Sequence, residues 1–361
     1  MPVTSYVGHP RPVAAIALLV SAVISGCMSF GPRTLKVDQV DYARALGEAK
    51  KREILAMIVG LRYADSPAFL TVSQVIAGYT FTASASPVAT SLPPGPAAQI
   101  TGMASYSDHP TFTFTPITGN SYSKAYIHPL SPSLILPLAD GGIPIDLLLR
   151  IAVQSIGGLN NATMLGGPTG DGSPEFFELL AVLRRLQLAG EVSIPFMPSA
   201  DGGKVGLALG LPRQAESPAN AADIARVRQL LNLPAGTEPY IITNGNSAAG
   251  ARSIPVVTRS VLAILSDLGA EVDVPPADIS EGTTKPSTRL VGGESRPTLV
   301  IHAGKKVRGS PYAVVSYRDS QFWIDESDFD SKYALTVVQD VMAIAEEGDT
   351  SHPPIVTVPA R

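Results

Sequence analysis

Residues 13–24, Val-Ala-Ala-Ile-Ala-Leu-Leu-Val-Ser-Ala-Val-Ile, form an uncharged apolar run that follows Arg11, the only Asp, Glu, Lys or Arg among the first 32 residues. At ~1.5 Å per helical residue, such a run falls well short of the ~30 Å of a bilayer's hydrocarbon. It has the layout of a signal n-region and h-region instead. The stretch therefore constrains the fold by subtraction, because a leader takes no part in the core. It ends in Ser25-Gly26-Cys27, and Cys27 is the only cysteine of the 361 residues. No disulfide is open to this chain, so its core has to rest on apolar burial alone.

Ile24-Ser25-Gly26-Cys27 resembles the lipobox of bacterial lipoproteins. The resemblance implies cleavage between Gly26 and Cys27, a diacylglycerol carrying palmitate-class chains on the Cys27 thiol, and acylation of the new N-terminus. Several acyl chains, at ~0.8 kcal/mol per buried CH₂, anchor stably where one chain is marginal. An uncleaved membrane helix or a plain secretory signal is the competing reading of the same run. Met28-Ser29 stand where enterobacterial lipoproteins held at the inner membrane carry Asp, so the expected location is the periplasmic face of the outer membrane. Residues 27–37, with Gly31 and Pro32, are then a lipidated tether.

A composition of 45% hydrophobic and 16% charged residues can bury a sizeable core and is not that of a disordered polymer. The net charge of −4 provides no basic field for a polyphosphate, which argues against nucleic acid as a partner. The pattern along the chain predicts an α+β fold: helices mixed with short, mostly antiparallel strands, and a C-terminal ββα unit. A helix is expected from Asp38 or Asp41 to Tyr63. Its early stripe is narrow (Tyr42, Ala45, Leu46, Ala49), and its second half, Ile54 to Leu61, is apolar nearly all round. Strands are expected over 69–85 and 100–116 around a proline-rich loop at 86–98, with Thr111-Phe-Thr-Phe-Thr alternating as a half-buried strand.

Helical patterns follow at 143–159, from Pro174 behind Ser173 to a stop at Gly190, and at 224–233. A further helix is expected from Pro255 to Leu268, capped by Ser253 and stopped by Gly269. Strands are expected at 192–197, 205–211 and 240–243. The soft segment 212–221 suggests a boundary between an N-terminal domain, 38–212, and a C-terminal domain, 213–348. Strands 312–317 and 321–324 around Arg318-Asp319-Ser320 lead into a helix capped by Ser327 with Asp330. Residues 349–361, holding Pro353, Pro354 and Pro359, read as a loose tail.

Little of this spells out chemistry. His109, His128, His302 and His352 form no His-x-His or His-Glu-x-x-His pair, so no metal site is written locally. Asp325, Glu326, Asp328 and Asp330 are the densest acidic cluster. Asp325, Asp328 and Asp330 are a weak calcium candidate, because a hand-type loop needs glycine where Asp330 stands and glutamate where Thr336 stands. A helix-dipole cap is the simpler role for them. The stretch Gly166–Ser173 lacks the lysine of a phosphate loop and reads as a solvated loop. Gly-x-Ser-x-Gly and Ser-x-x-Lys are absent, as is the peptidoglycan-binding motif Asn-x-x-Leu-Ser-x-x-Arg-Ala. No cofactor is implied.

Tyr317-Arg-Asp-Ser-Gln-Phe-Trp-Ile-Asp-Glu-Ser-Asp-Phe-Asp-Ser-Lys332, together with Ile58-Val-Gly-Leu-Arg-Tyr-Ala-Asp65, resembles segments of uncharacterised envelope lipoproteins of Gram-negative bacteria. That likeness implies a location and no activity. Strand alternation places Phe322 and Trp323 on opposite faces, so one of the two rings is a candidate for exposure and binding, against core packing for both. The expectation is an outer-membrane lipoprotein, held to the membrane through its lipid, that binds or assembles with other envelope proteins. The alternative is a lipid-tethered hydrolase acting on peptidoglycan or another envelope polymer.

Overall fold

The structure, a computed structural model, describes residues 30–76, 79–90, 97–108, 111–163, 172–197, 206–212, 215–235, 239–247, 250–287, 297–347 and 355–357. Cys27 and Gly26, the Gly166 loop and His109 lie outside the described residues. The chain is α+β, as expected, and forms two compact units, Met1–Arg52 and Glu53–Arg361. Helix α1, Phe30–Arg62, begins well before Asp38, so the tether expected to run to residue 37 is helical from Phe30. In the first unit Lys51 Nζ meets Glu48 Oε1 at 2.6 Å, while Ala45 and Ala49 of the narrow stripe are exposed. In the second unit Ile54, Leu55, Ile58 and Val59 are wholly buried, as their all-round apolar pattern requires.

The central sheet is six-stranded, in the order β6-β5-β10-β9-β8-β7. Its strands are β5 Val153–Ile156, β6 Leu159–Asn160, β7 Phe196–Met197, β8 Gly206–Leu209, β9 Tyr240–Asn244 and β10 Ser253–Thr258. The helix expected at 143–159 is a short α2, Ile145–Ala152, that gives way to the β5–β6 hairpin. The switch is made by Gly157 and Gly158, with φ of 59° and 86°, which suit a two-residue turn that few other residues can enter. A Cβ on Gly157 would stand 2.5 Å from Leu231 Cδ2. Likewise the helix expected at 255–268 begins as β10, whose residues alternate half-buried and buried, and only Ser260 caps α5, Val261–Ala270. Gly269 lies within that helix, where a Cβ would press on Ile58 O at 3.0 Å, so it serves close packing on α1 and not termination.

The sheet also overrides the division at 212/213. β8 pairs antiparallel with β9 across that segment, and both belong to one unit. α3 (Pro174–Leu188) and α4 (Pro218–Leu230) supply further core, through Phe176, Leu180, Leu183, Ile224 and Val227. Ser173 holds the N-cap position, but its hydroxyl takes the Asn160 amide at 3.0 Å and not its own helix. Arg259, at the end of β10, is buried beside Asp267 (2.9 Å) and donates to Arg150 O, Ile151 O, Ala162 O and Gln154 Oε1. One guanidinium thus ties α2, β5 and α5 together.

Four further strands form two antiparallel pairs in separate sheets. β1 Leu70–Ile76 pairs with β4 Thr111–Pro116, and β2 Tyr79–Thr90 pairs with β3 Ala97–Asp108 in the same register, from Tyr79↔Asp108 to Thr90↔Ala97. The pairing therefore enters the expected proline loop, with Pro87 opposite Ile100. At the base Ile117 N donates to Phe69 O at 3.0 Å, and the buried Phe69 ring stacks on Tyr126 with centroids 3.7 Å apart. Phe114 is 57% exposed, so Thr111–Thr115 is not the half-buried strand its alternation suggests. Within the tail, β14 Ile355–Thr357 pairs parallel with β1, so that part is not loose.

The C-terminal ββα unit stands as expected: β12 Pro311–Tyr317, β13 Ser320–Asp325 and α6 Phe329–Glu347, with β11 His302–Gly304 on the far edge of β13. The cap differs. Asp328, not Ser327, accepts from the Ser331 amide at 3.2 Å and from its hydroxyl at 2.6 Å. Ala334, Leu335, Val338, Val341 and Met342 carry α6 into the core.

Candidate functional site

The register of β11 on β13 brings His302 opposite Trp323, with ring centroids 5.6 Å apart. Trp323 is 4% exposed and Phe322 fully buried, which corrects the expectation of an exposed ring. Alternation does separate them. Phe322 meets Tyr63 edge-on in the core at 6.1 Å, whereas Trp323 lies on the opposite face, at the floor of a cleft of about 650 Å³. Phe322 is thereby withdrawn from binding, and Trp323 keeps only a small accessible edge.

The cleft is built from three segments. Asp273 follows α5, and its amide donates to Ile301 O, which holds it beside the start of β11. Asp325 ends β13. Its Oδ1 accepts the Trp323 indole N–H at 3.0 Å, and its Oδ2 lies 3.2 Å from His302 Nε2. The other ring nitrogen, Nδ1, faces Asp273 Oδ2 at 3.7 Å. Either tautomer of the imidazole therefore turns its N–H toward a carboxylate, a pairing that orients the ring. At Gly304 the β11 backbone lies over the indole, and a Cβ there would rest on the six-membered ring at an ordinary contact distance of 3.5 Å. Lys305, Lys306 and Arg308 form a basic rim. Lys305 Nζ is engaged by Asp319 O at 3.2 Å, and the exposed Lys306 and Arg308 remain at the opening.

The structure does not gather the calcium candidates. Asp325 serves Trp323 and His302, Asp328 caps α6, and Asp330 is exposed on its first turn. Among the described residues no group of three His, Cys, Asp or Glu could hold a metal ion. His128 lies elsewhere, with Nε2 3.3 Å from Ser123 Oγ. Sequence reasoning named Trp323 and Asp325 but missed His302, Asp273 and the rim. The legible signal was the short basic run Lys305-Lys306-Val307-Arg308 just after a histidine; Asp273 is reached only through the fold.

Chemically, the cleft offers an imidazole held by a carboxylate, which can carry a proton to or from a bound group. No Ser, Thr, Cys or Tyr is among its lining residues, so an activated hydroxyl or thiol nucleophile is not part of the cleft, whose reactive side chains are its carboxylates, imidazole and amines. Comparison of the chain with protein-family models, with curated proteins and with solved structures finds no match to any of them.

Proposed function

We propose that this chain is a lipoprotein anchored through Cys27 at the periplasmic face of the outer membrane, where it acts as a binding and assembly component of the cell envelope. Its cleft recognises a polar, anion-bearing group on an envelope partner. The observation that carries this reading is the cleft's composition: cations at the opening, a carboxylate-held imidazole within and an indole as floor. The Ile24–Cys27 lipobox supports the location, and the mildly acidic chain supports a partner other than nucleic acid. Among the described residues no helix is long and apolar enough to cross a membrane, a statement that does not extend to strands.

The tests separate location from recognition. Membrane fractionation of wild type and Cys27→Ser should move the protein from the membrane to the soluble pool; an unchanged distribution removes the anchor. Photo-crosslinking from position 306 in cells should yield envelope-protein adducts that disappear in the His302→Ala, Arg308→Glu double variant. Adducts that persist there remove the cleft from the account.

One observation favours a second reading, the tethered hydrolase: His302 and Asp325 at 3.2 Å make a plausible water-activating pair. Release of soluble fragments from purified peptidoglycan, lost in both His302→Ala and Asp325→Asn, would replace binding by catalysis.

A further inference from the structure

The β2–β3 ladder has properties that the cleft does not use. Residues 66–107 contain no Asp, Glu, Lys, Arg or His, in a chain where 16% of residues are charged. Asp108 closes the stretch at the base end of the ladder. The two strands are twelve residues each and pair only with one another among the described residues, so each has a ladder edge without a described strand beside it.

Their register sorts the residues into two sets. One register set alternates through Thr80, Thr82, Ser84, Ser86 and Thr90, opposite Ser107, Ser105, Thr101 and Gln99, interrupted by Val88, Met103 and Ala97. The positions of this set whose exposure is described, Thr82, Ser84, Met103 and Ser105, are all exposed. The other set carries Tyr79, Phe81, Ala83, Ala85, Pro87 and Ala89, opposite Asp108 at its very end and then Tyr106, Ala104, Gly102, Ile100 and Ala98. Its aromatic members sit together at the Asp108 end. A dyad alternation of hydroxyl and apolar residues, with its one charge, Asp108, at the terminal pair and aromatics toward that end, is the pattern of a strand with water on one side and lipid on the other.

The dimensions agree. Twelve residues at ~3.3 Å span about 40 Å along the strand. At a tilt of roughly 40°, that crosses the ~30 Å of a bilayer's hydrocarbon. A single hairpin cannot do so by itself, because its outer backbone groups would lie unpaired in hydrocarbon. Neighbouring copies of the same hairpin supply the missing partners edge to edge.

We propose that β2 and β3 of several copies of this chain close a β-barrel across a bilayer, with the Thr/Ser register positions on the aqueous lumen and the Ala/aromatic positions on lipid. This deepens the location argued above, since it needs the protein at a membrane, but it is independent of the cleft. The lipid on Cys27 would bring copies to one surface, and the stacked Phe69–Tyr126 base would hold each hairpin to its own body.

The experiment exploits the single cysteine, which acylation blocks. Cysteines are placed one at a time at 82, 83, 84, 85, 103 and 104 in the full-length protein, and membranes bearing each variant are treated with a membrane-impermeant maleimide. The expected result is labelling at 82, 84 and 103, none at 83, 85 and 104, and labelling of all six once detergent removes the lipid. Equal labelling of both sets in a protein that sediments with membranes overturns the barrel and leaves a surface-lying hairpin. Protection of 83, 85 and 104 that persists in detergent overturns it in favour of a protein covering that face. A protein that fractionates as soluble sinks the anchor reading instead. In that case, purified protein added to dye-loaded phospholipid vesicles still tests the hairpin: dye release that the Ala83→Asp, Ala85→Asp double variant abolishes supports the barrel, and none with wild type counts against it.

Discussion

The six-stranded sheet and the β2–β3 ladder handle polar groups in opposite ways. In the sheet region Arg259 is 6% exposed, and its guanidinium faces Asp267 while four acceptors from α2, β5 and the segment after β6 receive its N–H groups. A charge so far from water is tolerable only when paired and hydrogen-bonded, so this polar group fixes a unique packing. In the ladder no charge occurs from residue 66 to 107, and the hydroxyl positions whose exposure is described face outward. One region uses polarity to specify an interior, and the other keeps a neutral wet face along a strand. The first belongs to a body folded in water; the second suits an element that meets two solvents.

This contrast can be broken by substitution. Arg259→Ala leaves Asp267 and several carbonyls without their donor, and should cost about 3–5 kcal/mol in urea unfolding followed by circular dichroism. A loss under ~1 kcal/mol would mean that the clamp does not organise the body. A smaller effect is expected where α6 meets the turn preceding α2. Tyr126 is fully buried, and its hydroxyl donates to Glu346 Oε1 at 2.6 Å. Removing a hydrogen bond to a charged acceptor costs about 1.5–3 kcal/mol, which Tyr126→Phe should show in the same assay.

The next effect depends on pH. Burial raises the Glu271 carboxyl above its ordinary value of 4.5, although the Thr298 amide and hydroxyl donate to it at 2.7 and 3.2 Å. The folded chain then holds this proton to a higher pH than the unfolded chain does. Stability from this group is therefore greatest at acid pH and falls as pH rises from about 4.5 through the folded value. Glu271→Gln should flatten that decline in a series of melts, whatever it costs at low pH; an unaltered slope would contradict the assignment. Smallest of all, Thr82→Ala and Ser84→Ala should change the body's stability by less than about 0.5 kcal/mol, since exposed positions carry little of it.

Much of the fold could be read in the residues, and the failures share a cause. The buried half of α1 showed in the unbroken apolar run Ile54–Leu61, and the ββα unit in its turn and cap residues. The errors at 143–159 and 255–268 arose where apolar residues suit a helix stripe and a buried strand alike, and where Gly157-Gly158 and Ser260 decided the outcome. Ser327 lost the cap to Asp328 one residue on, a shift within the usual uncertainty of helix ends. The cleft was half legible, because the basic run is local while Asp273 reaches His302 only through the pairing of residue 273 with Ile301. The ladder's strands are partly legible in the alternation over 69–85 and 100–116, and the charge-free run 66–107 is written there in full.

Hydrogen exchange followed by mass spectrometry, on the lipidated protein in vesicles and again in mild detergent-free buffer as the unlipidated Cys27→Ser chain, tests most directly whether body and ladder meet different solvents. The account predicts that amides of 79–90 and 97–108 exchange quickly in buffer and become strongly protected in vesicles, while peptides from β9, β10 and α6 are equally protected in both. Ladder amides that exchange at the same rate with and without a bilayer would contradict it.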